Sequence, residues 1–133
     1  MEYIEKVRMK AGKPRFELID PLAELGLAMV LGGGAIKYGE GAPWKGLHGS
    51  DRMPVYGALI RHYNAMMVGE TIDTEFLLPH SVHLLANAMF LAGWDMAEVP
   101  IHTWMTNWKS RVIALAESRA PFETEPEEPP PFI

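Results

Sequence analysis

The chain has 133 residues, one domain's worth against about 150 per domain, and its 48% hydrophobic and 22% charged content is that of an ordinary folded protein. It contains no cysteine, which excludes disulfides, thiolate metal sites and cysteine nucleophiles. Seventeen acidic against twelve basic residues leave a net charge of −5. That balance argues against general binding to a phosphate backbone, while a local basic pocket for one nucleotide stays open.

The opening MEYIEKVRMK mixes charges of both signs without an apolar core, so it does not read as a secretory signal. The longest stretch free of charged residues and histidine, Leu25 to Ile36, contains four glycines. It falls short of the roughly 18–20 apolar residues that a bilayer span needs. The expectation is a soluble, cytoplasmic protein.

Taken in chain order, the apolar spacing predicts helices almost throughout. The first opens at Asp20-Pro21, a capping residue followed by proline at the first helical position. Leu22, Leu25, Met29 and Ile36 recur at helical spacing and are expected to form its buried stripe. Gly32-Gly33-Gly34 crosses that stripe. Three glycines in a helix cost about 2–3 kcal/mol relative to alanine, so either the helix breaks there or a neighbour packs too closely for side chains. Close packing is the preferred reading.

Residues 39–53 read as a loop rich in glycine and short polar residues. A second helix is predicted from near Pro54 to Val68, with Val55, Leu59, Tyr63 and Met66 inward. A short acidic segment, Gly69 to Leu78, carries Glu70, Asp73 and Glu75. A third helix is predicted from Pro79 to about Ala97. A fourth, from Pro100, places Ile101, Trp104, Trp108, Val112 and Leu115 on one stripe. The tail from Ala120 to Ile133 has five prolines and four glutamates in fourteen residues, too little apolar surface to order itself, and is expected to be flexible. The predicted class is all-α: a compact bundle of about four helices with an irregular N-terminal arm, one domain over 1–119, and an acidic Pro-rich tail over 120–133.

Three groups of residues suit chemistry. Glu70, Asp73 and Glu75, with Glu24 and Glu40 from the first helix and its end, are hard oxygen donors of the kind Mg²⁺ and Mn²⁺ prefer. Acidic residues on a loop are otherwise simply solvated. His80, His83 and Asn87 follow at i, i+3 and i+7 of the third helix and share one face, with Arg61-His62 on the second helix. Such a face can chelate a metal, donate to phosphate or shuttle protons, although most polar helix faces only meet water. Opposite it, Val82, Leu85, Ala86, Met89 and Phe90 read as core. Lys13, Arg15, Lys37, Tyr38, Trp44, Lys45 and Arg61 combine cations with aromatic rings, which suits phosphates paired to the cations and a base stacked on a ring. Trp94, Trp104 and Trp108 read as core or interface. No GxxxxGK[ST], HExxH or GxSxG pattern and no His-Asp dipeptide occurs.

Four segments in order carry a family resemblance: KPRFELIDP (13–21), GAIKYGE (34–40) with the nearby Trp44, ALIRHYNAMMVGETID (58–73) and LPHSVHLLANAMFL (78–91). Their run of Lys-Pro-Arg, Gly-Ala-x-Lys-Tyr-Gly, Arg-His, Gly-Glu-x-x-Asp and Leu-Pro-His-x-x-His resembles a phage and bacterial family of dATP/dGTP diphosphohydrolases, N-terminal type. That family is related in activity to the MazG-like all-α nucleotide pyrophosphohydrolases. The resemblance covers about residues 11–98.

It implies a helical protein that hydrolyses a purine deoxynucleoside triphosphate to monophosphate and pyrophosphate with Mg²⁺ or Mn²⁺, adjusting a phage's nucleotide pool in the host cytoplasm. By position it implies Glu24, Glu70, Asp73 and Glu75 as metal-side carboxylates, with Glu75, His80 and His83 as catalytic residues. Lys13, Arg15, Lys37, Arg61, His62 and Asn87 would bind substrate, and Tyr38 and Trp44 would stack the base. Two departures stand out. After Asp73 the family reads Pro-Glu-Ser-Gly where this chain has Thr-Glu-Phe-Leu, and Glu24 lacks an acidic residue at i+3 or i+4. The rival readings are a protein that binds a nucleotide or nucleotide signal without chemistry, and a structural helical protein. With Trp104 and Trp108 on an amphipathic last helix, a homo-oligomer is expected.

Overall fold

The computed structural model describes Glu2, residues 13–39 and residues 51–118. Among them are four helices and no strand: α1 (Pro21–Tyr38), α2 (Met53–Met67), α3 (His80–Ala97) and α4 (Ile101–Ser118), with a short 3-10 turn at Phe16–Leu18. The all-α expectation is met. Glu40, Trp44 and Lys45, most of the arm and the tail over 120–133 lie outside the described residues. The chain divides into two units, Phe16–Glu98 with α1 to α3, and Met1–Arg15 together with Val99–Ile133, which carries α4.

Local chemistry sets the helix ends. The Asp20 carboxylate accepts from the Leu22 amide at 2.9 Å, Pro21 takes the first turn, and α1 ends at Gly39, whose φ of 98° only glycine adopts readily. The helix runs unbroken through Gly32-Gly33-Gly34. A Cβ on Gly33 would stand 2.8 Å from the Phe76 ring, and one on Gly26 would meet Val82 of α3 at 3.1 Å. Gly32 and Gly34 face open space, so close packing accounts for Gly33 alone.

The buried face of α1 is not the expected one. Leu22 and Ile36 are 77% and 85% exposed, and Leu25 and Met29 are exposed too, while Val30 is buried with Gly26, Leu27 and Leu31 half-buried beside it. Nearly every position of α1 is apolar, so spacing alone defines no single stripe. The inward face is the one whose glycines allow a close approach to α3 and Phe76. On α2, Val55 is buried and Leu59 half-buried, but Tyr63 and Met66 are exposed.

Helix α3 packs against both α1 and α2. Its buried residues are His80, His83, Ala86 and Trp94, whereas Leu85, expected in the core, is exposed. The polar face therefore points inward. Among the described residues of this unit, the buried polar residues Asp73, His80 and His83 stand beside four buried apolar ones, Val30, Val55, Ala86 and Trp94. Burying polar groups costs free energy even when they are paired, so this interior is not optimised for stability alone.

The segment between α2 and α3 closes on itself. Gly69 turns with φ 91°, Ile72 and Pro79 form an antiparallel bridge, the Asp73 amide donates to the Leu78 carbonyl at 2.8 Å, and the His80 amide donates to the Thr71 carbonyl at 2.9 Å. At the far end Arg52, ahead of α2, reaches Asp95 at 2.6 Å and Glu98 at 3.2 Å and lies over the Trp94 ring, tying the start of α2 to the end of α3.

In the other unit, the Pro100 carbonyl accepts from the Thr103 and Trp104 amides to start α4. Trp104 and Val112 are half-buried and Ala116 is buried, while Ile101, Trp108 and Leu115 are exposed. No helix among the described residues is long and apolar enough to cross a membrane.

Candidate functional site

Between α1, α2, α3 and the 68–79 segment lies a cavity of about 720 Å³, a size suited to a small ligand. Its apolar lining comes from Val30 and Leu31, Val55 and Ala58, and Ala86, Phe90 and Trp94. Its polar lining comes from all four elements: Lys37 and Tyr38 from α1, Arg61 and His62 from α2, Asp73 and Glu75 from the segment, His83 and Asn87 from α3.

Asp73 organises the acidic segment. One carboxylate oxygen accepts from the Glu75 amide at 2.9 Å, and the other accepts from the Phe76 amide at 3.0 Å and from His83 Nε2 at 2.6 Å. An ionised carboxylate only accepts, so His83 carries its proton on Nε2 towards Asp73. Burial pushes the Asp73 carboxyl up, but the Glu75 and Phe76 amides and His83 together outweigh it and hold the acid below its ordinary value.

The three imidazoles come together. The His62 ring lies parallel to His83 with centroids 4.5 Å apart, and Phe76 is parallel to His83 at 5.7 Å. His62 Nδ1 and His80 Nδ1 are 2.9 Å apart, a hydrogen bond in which one donates and the other accepts. His80 Nε2 is 3.4 Å from a Glu70 carboxylate oxygen, close enough for attraction but not aligned as a hydrogen bond, so this buried nitrogen has no hydrogen-bond partner. Burial lowers the pKa of His62, and the proximity of His83, His80 and Arg61 disfavours a positive ring further, against the pull of Asp73. His62 is neutral at pH 7.

Lys37 holds both oxygens of Glu75, at 2.8 and 3.0 Å, and its ammonium lies 5.1 Å from the Tyr38 ring. The Glu75 hydrogen bond raises the Lys37 pKa, with Tyr38 adding to it, so the ammonium stays charged. Arg61 is the other cation on the lining, and it is exposed. Asn87 donates to the His83 carbonyl at 2.9 Å, which leaves its amide oxygen for other partners.

Of the residues singled out from sequence, Lys37, Tyr38, Arg61, His62, Asp73, Glu75, His83 and Asn87 line this one cavity. His80 and Glu70 stand beside it, linked through His62. Glu24 is exposed in the first turn of α1 and does not line it. Lys13 and Arg15 belong to the other unit, and Trp44 lies outside the described residues. Sequence reasoning took Phe90 and Trp94 as core or interface rather than lining, and had Phe76 only as an apolar departure beside the site.

The fit to a resident metal ion is poor in this arrangement. Asp73 is engaged by three donors and Glu75 by Lys37, and no three acid or imidazole groups among the described residues are arranged to hold an ion. What the cavity offers is two cations, an ordered carboxylate–imidazole pair and a neutral imidazole on one wall, a setting for an anionic ligand with an apolar part.

Comparison with known proteins agrees with that chemistry. The protein-family model described as dATP/dGTP diphosphohydrolase, N-terminal, matches residues 4–102, well over half of the chain. No curated protein and no solved structure gives a match.

Proposed function

The chain belongs to the dATP/dGTP diphosphohydrolase N-terminal family, and from that premise we propose that it hydrolyses purine deoxynucleoside triphosphates to the monophosphate and pyrophosphate. The observation that carries the reading is the gathering of Lys37, Arg61, His62, Asp73, Glu75, His83 and Asn87 around one cavity that also has an apolar lining. Phosphates pair with the Arg61 guanidinium, whose planar fork matches two phosphate oxygens, and with the third N–H of the Lys37 ammonium, the other two being directed at Glu75. The base occupies the apolar part, against Tyr38, Phe90 or Trp94.

Catalysis in this reading is positioning and charge stabilisation around an attacking water. Mg²⁺ or Mn²⁺ would accompany the substrate as the counter-ion a triphosphate carries and would offset phosphate charge. Asp73 fixes the His83 ring, and Asn87 offers its amide oxygen to a ligand donor. The protein's role would be to adjust a nucleotide pool, as in phage-type systems.

A second reading is binding without chemistry, in which the chain sequesters a nucleotide or nucleotide signal. The closed Lys37–Glu75 pair and the absence of a converging donor set among the described residues favour it. One experiment separates the readings. The purified chain is incubated with each deoxynucleoside and ribonucleoside triphosphate, with Mg²⁺ and separately with Mn²⁺, and the products are resolved chromatographically. Monophosphate and pyrophosphate from a purine deoxynucleotide support hydrolysis. A nucleotide retained unchanged supports sequestration, and neither outcome leaves a structural role. The same sample in light scattering tests the proposed homo-oligomer.

A further inference from the structure

His80 is buried, does not line the cavity, and has a ring nitrogen without a hydrogen-bond partner facing a carboxylate. Such a group is costly to keep unless it does something for a neighbour. Its neighbour is His62, which does line the cavity.

We infer that His62 is the proton acceptor facing the cavity, and that His80 and Glu70 behind it are positioning residues that fix its tautomer. The inference rests on the hydrolase reading and names the residue that serves it.

A lone pair on His80 Nε2 would face a carboxylate oxygen 3.4 Å away and be repelled, whereas an N–H there is attracted. A neutral His80 with its proton on Nε2 has an acceptor at Nδ1. The 2.9 Å contact to His62 Nδ1 then requires His62 to donate. A neutral His62 with its proton on Nδ1 has its lone pair on Nε2, the nitrogen not engaged by His80. The ring nitrogen left over is set by the hydrogen bond that the other one makes.

The remaining acceptors on the lining are less suited. Asp73 already accepts from three donors, and Glu75 is held by Lys37 through both oxygens. His83 is 7% exposed, with the His62 and Phe76 rings parallel to its own. His62 is half-buried on the cavity wall and neutral at pH 7.

In the proposed step a water oxygen bonds to the α-phosphorus as the bond from that phosphorus to the bridging oxygen breaks. Pyrophosphate leaves with the electron pair, and the water's proton passes to His62 Nε2. The imidazolium that forms keeps its Nδ1–H on His80, whose Nε2 lies 3.4 Å from a Glu70 carboxylate oxygen, so the new positive charge meets an ordered acceptor and a carboxylate beyond it.

The test begins without nucleotide, on the ¹⁵N-labelled full chain, by long-range ¹H–¹⁵N NMR of the imidazoles above pH 7. The expected result is His62 with a protonated Nδ1 and a bare Nε2 in the parent, and loss of that preference in His80→Ala. A His62 ring protonated on Nε2 in the parent overturns the inference. Turnover supplies the second readout. His80→Ala is expected to lower kcat about tenfold, the scale of an outer hydrogen-bond partner, with KM within about twofold. His80→Asn, whose amide oxygen can accept from His62 Nδ1, restores most of kcat. His62→Gln is expected to lower kcat by about 100-fold or more, the scale of a lost general base. Full activity in His62→Gln, or no rescue by asparagine at 80, overturns the role. If the parent turns over no nucleotide, the hydrolase reading and the acceptor role fall together, while the NMR result still decides whether the relay sets the tautomer.

Discussion

The Asp73 carboxylate and the His83 imidazole meet at 2.6 Å, both almost wholly buried, and the same carboxylate caps the backbone amides of Glu75 and Phe76. A single side chain thus fixes the turn of the acidic segment and the orientation of a ring on α3. Losing one partner of such a pair leaves the other buried and unsatisfied. Asp73→Ala is expected to cost about 3 kcal/mol in urea denaturation. Asp73→Asn should cost less, because its amide oxygen still accepts from one backbone amide. Either variant matching the parent's stability would contradict this role.

The shifted acids and bases give a pH dependence with a definite sign. Asp73 has a lowered pKa in the folded state, so its contribution is full above its ordinary carboxylate range and is lost as pH falls through the folded value. His62 is also lowered, by its burial first and by His83, His80 and Arg61 around it, with Asp73 opposing. Between its folded pKa and the ordinary value near 6.5 the unfolded chain binds the extra proton, so stability drops as pH falls below about 6.5. Denaturation midpoints should therefore be level above neutrality as far as these two groups go, then fall in two stages. His62→Gln should remove the first stage and leave the second.

An anion-binding cavity makes a separate prediction for Arg61. Its guanidinium lines the cavity and is exposed, so removing it leaves no buried group unpaired. Arg61→Ala should change stability by less than about 0.5 kcal/mol, as surface substitutions usually do. It should weaken binding of a non-hydrolysable purine deoxynucleotide by about tenfold, the scale of one charge-assisted hydrogen bond. Unchanged affinity in calorimetry would remove Arg61 from the phosphate site.

The helix boundaries were legible because they depend on local chemistry. Asp20-Pro21 starts α1 through a side-chain cap, and prolines at 54, 79 and 100 mark the starts of α2, α3 and α4. The buried faces were not legible in the same way. α1 is apolar all round, so Leu22 and Ile36 look as eligible as Val30, and only the distance to Phe76 and Val82 selects the glycine-bearing face. On α3 the usual rule inverts, and His80 and His83 go inward because Asp73, His62 and Glu70 are there to meet them. The cluster of polar residues at i, i+3 and i+7 was readable, as was its union with the acidic segment. That His80 stands beside the cavity and His62 on it was not, since this depends on how α2 packs against α3.

The contact between Gly33 and Phe76 can be tested as a pair. An alanine methyl at 33 would stand 2.8–3.0 Å from three atoms of the Phe76 ring, which is itself stacked on His83. Gly33→Ala should destabilise the parent by about 1–2 kcal/mol, the cost of overpacking outweighing the helix preference for alanine. In a Phe76→Ala background the same change should stabilise by up to about 1 kcal/mol. Gly32→Ala faces open space and should stabilise in either background. Additive effects of Gly33→Ala and Phe76→Ala would show that the two do not share the contact.

Leu77 gives the last prediction. Its φ is 58°, in the left-handed region, and its side chain is 74% exposed. A leucine there forfeits about 1–2 kcal/mol of backbone preference and recovers little by burial. The resembling family has glycine at this step of the pattern, the residue that adopts such a conformation without steric cost. Glycine also gives the unfolded chain more freedom, which offsets part of the gain. Leu77→Gly should therefore stabilise the protein by about 0.5–1 kcal/mol, seen as a raised denaturation midpoint with an unchanged slope. A loss of stability instead would mean that the leucine side chain makes a contact worth more than the strain of its backbone.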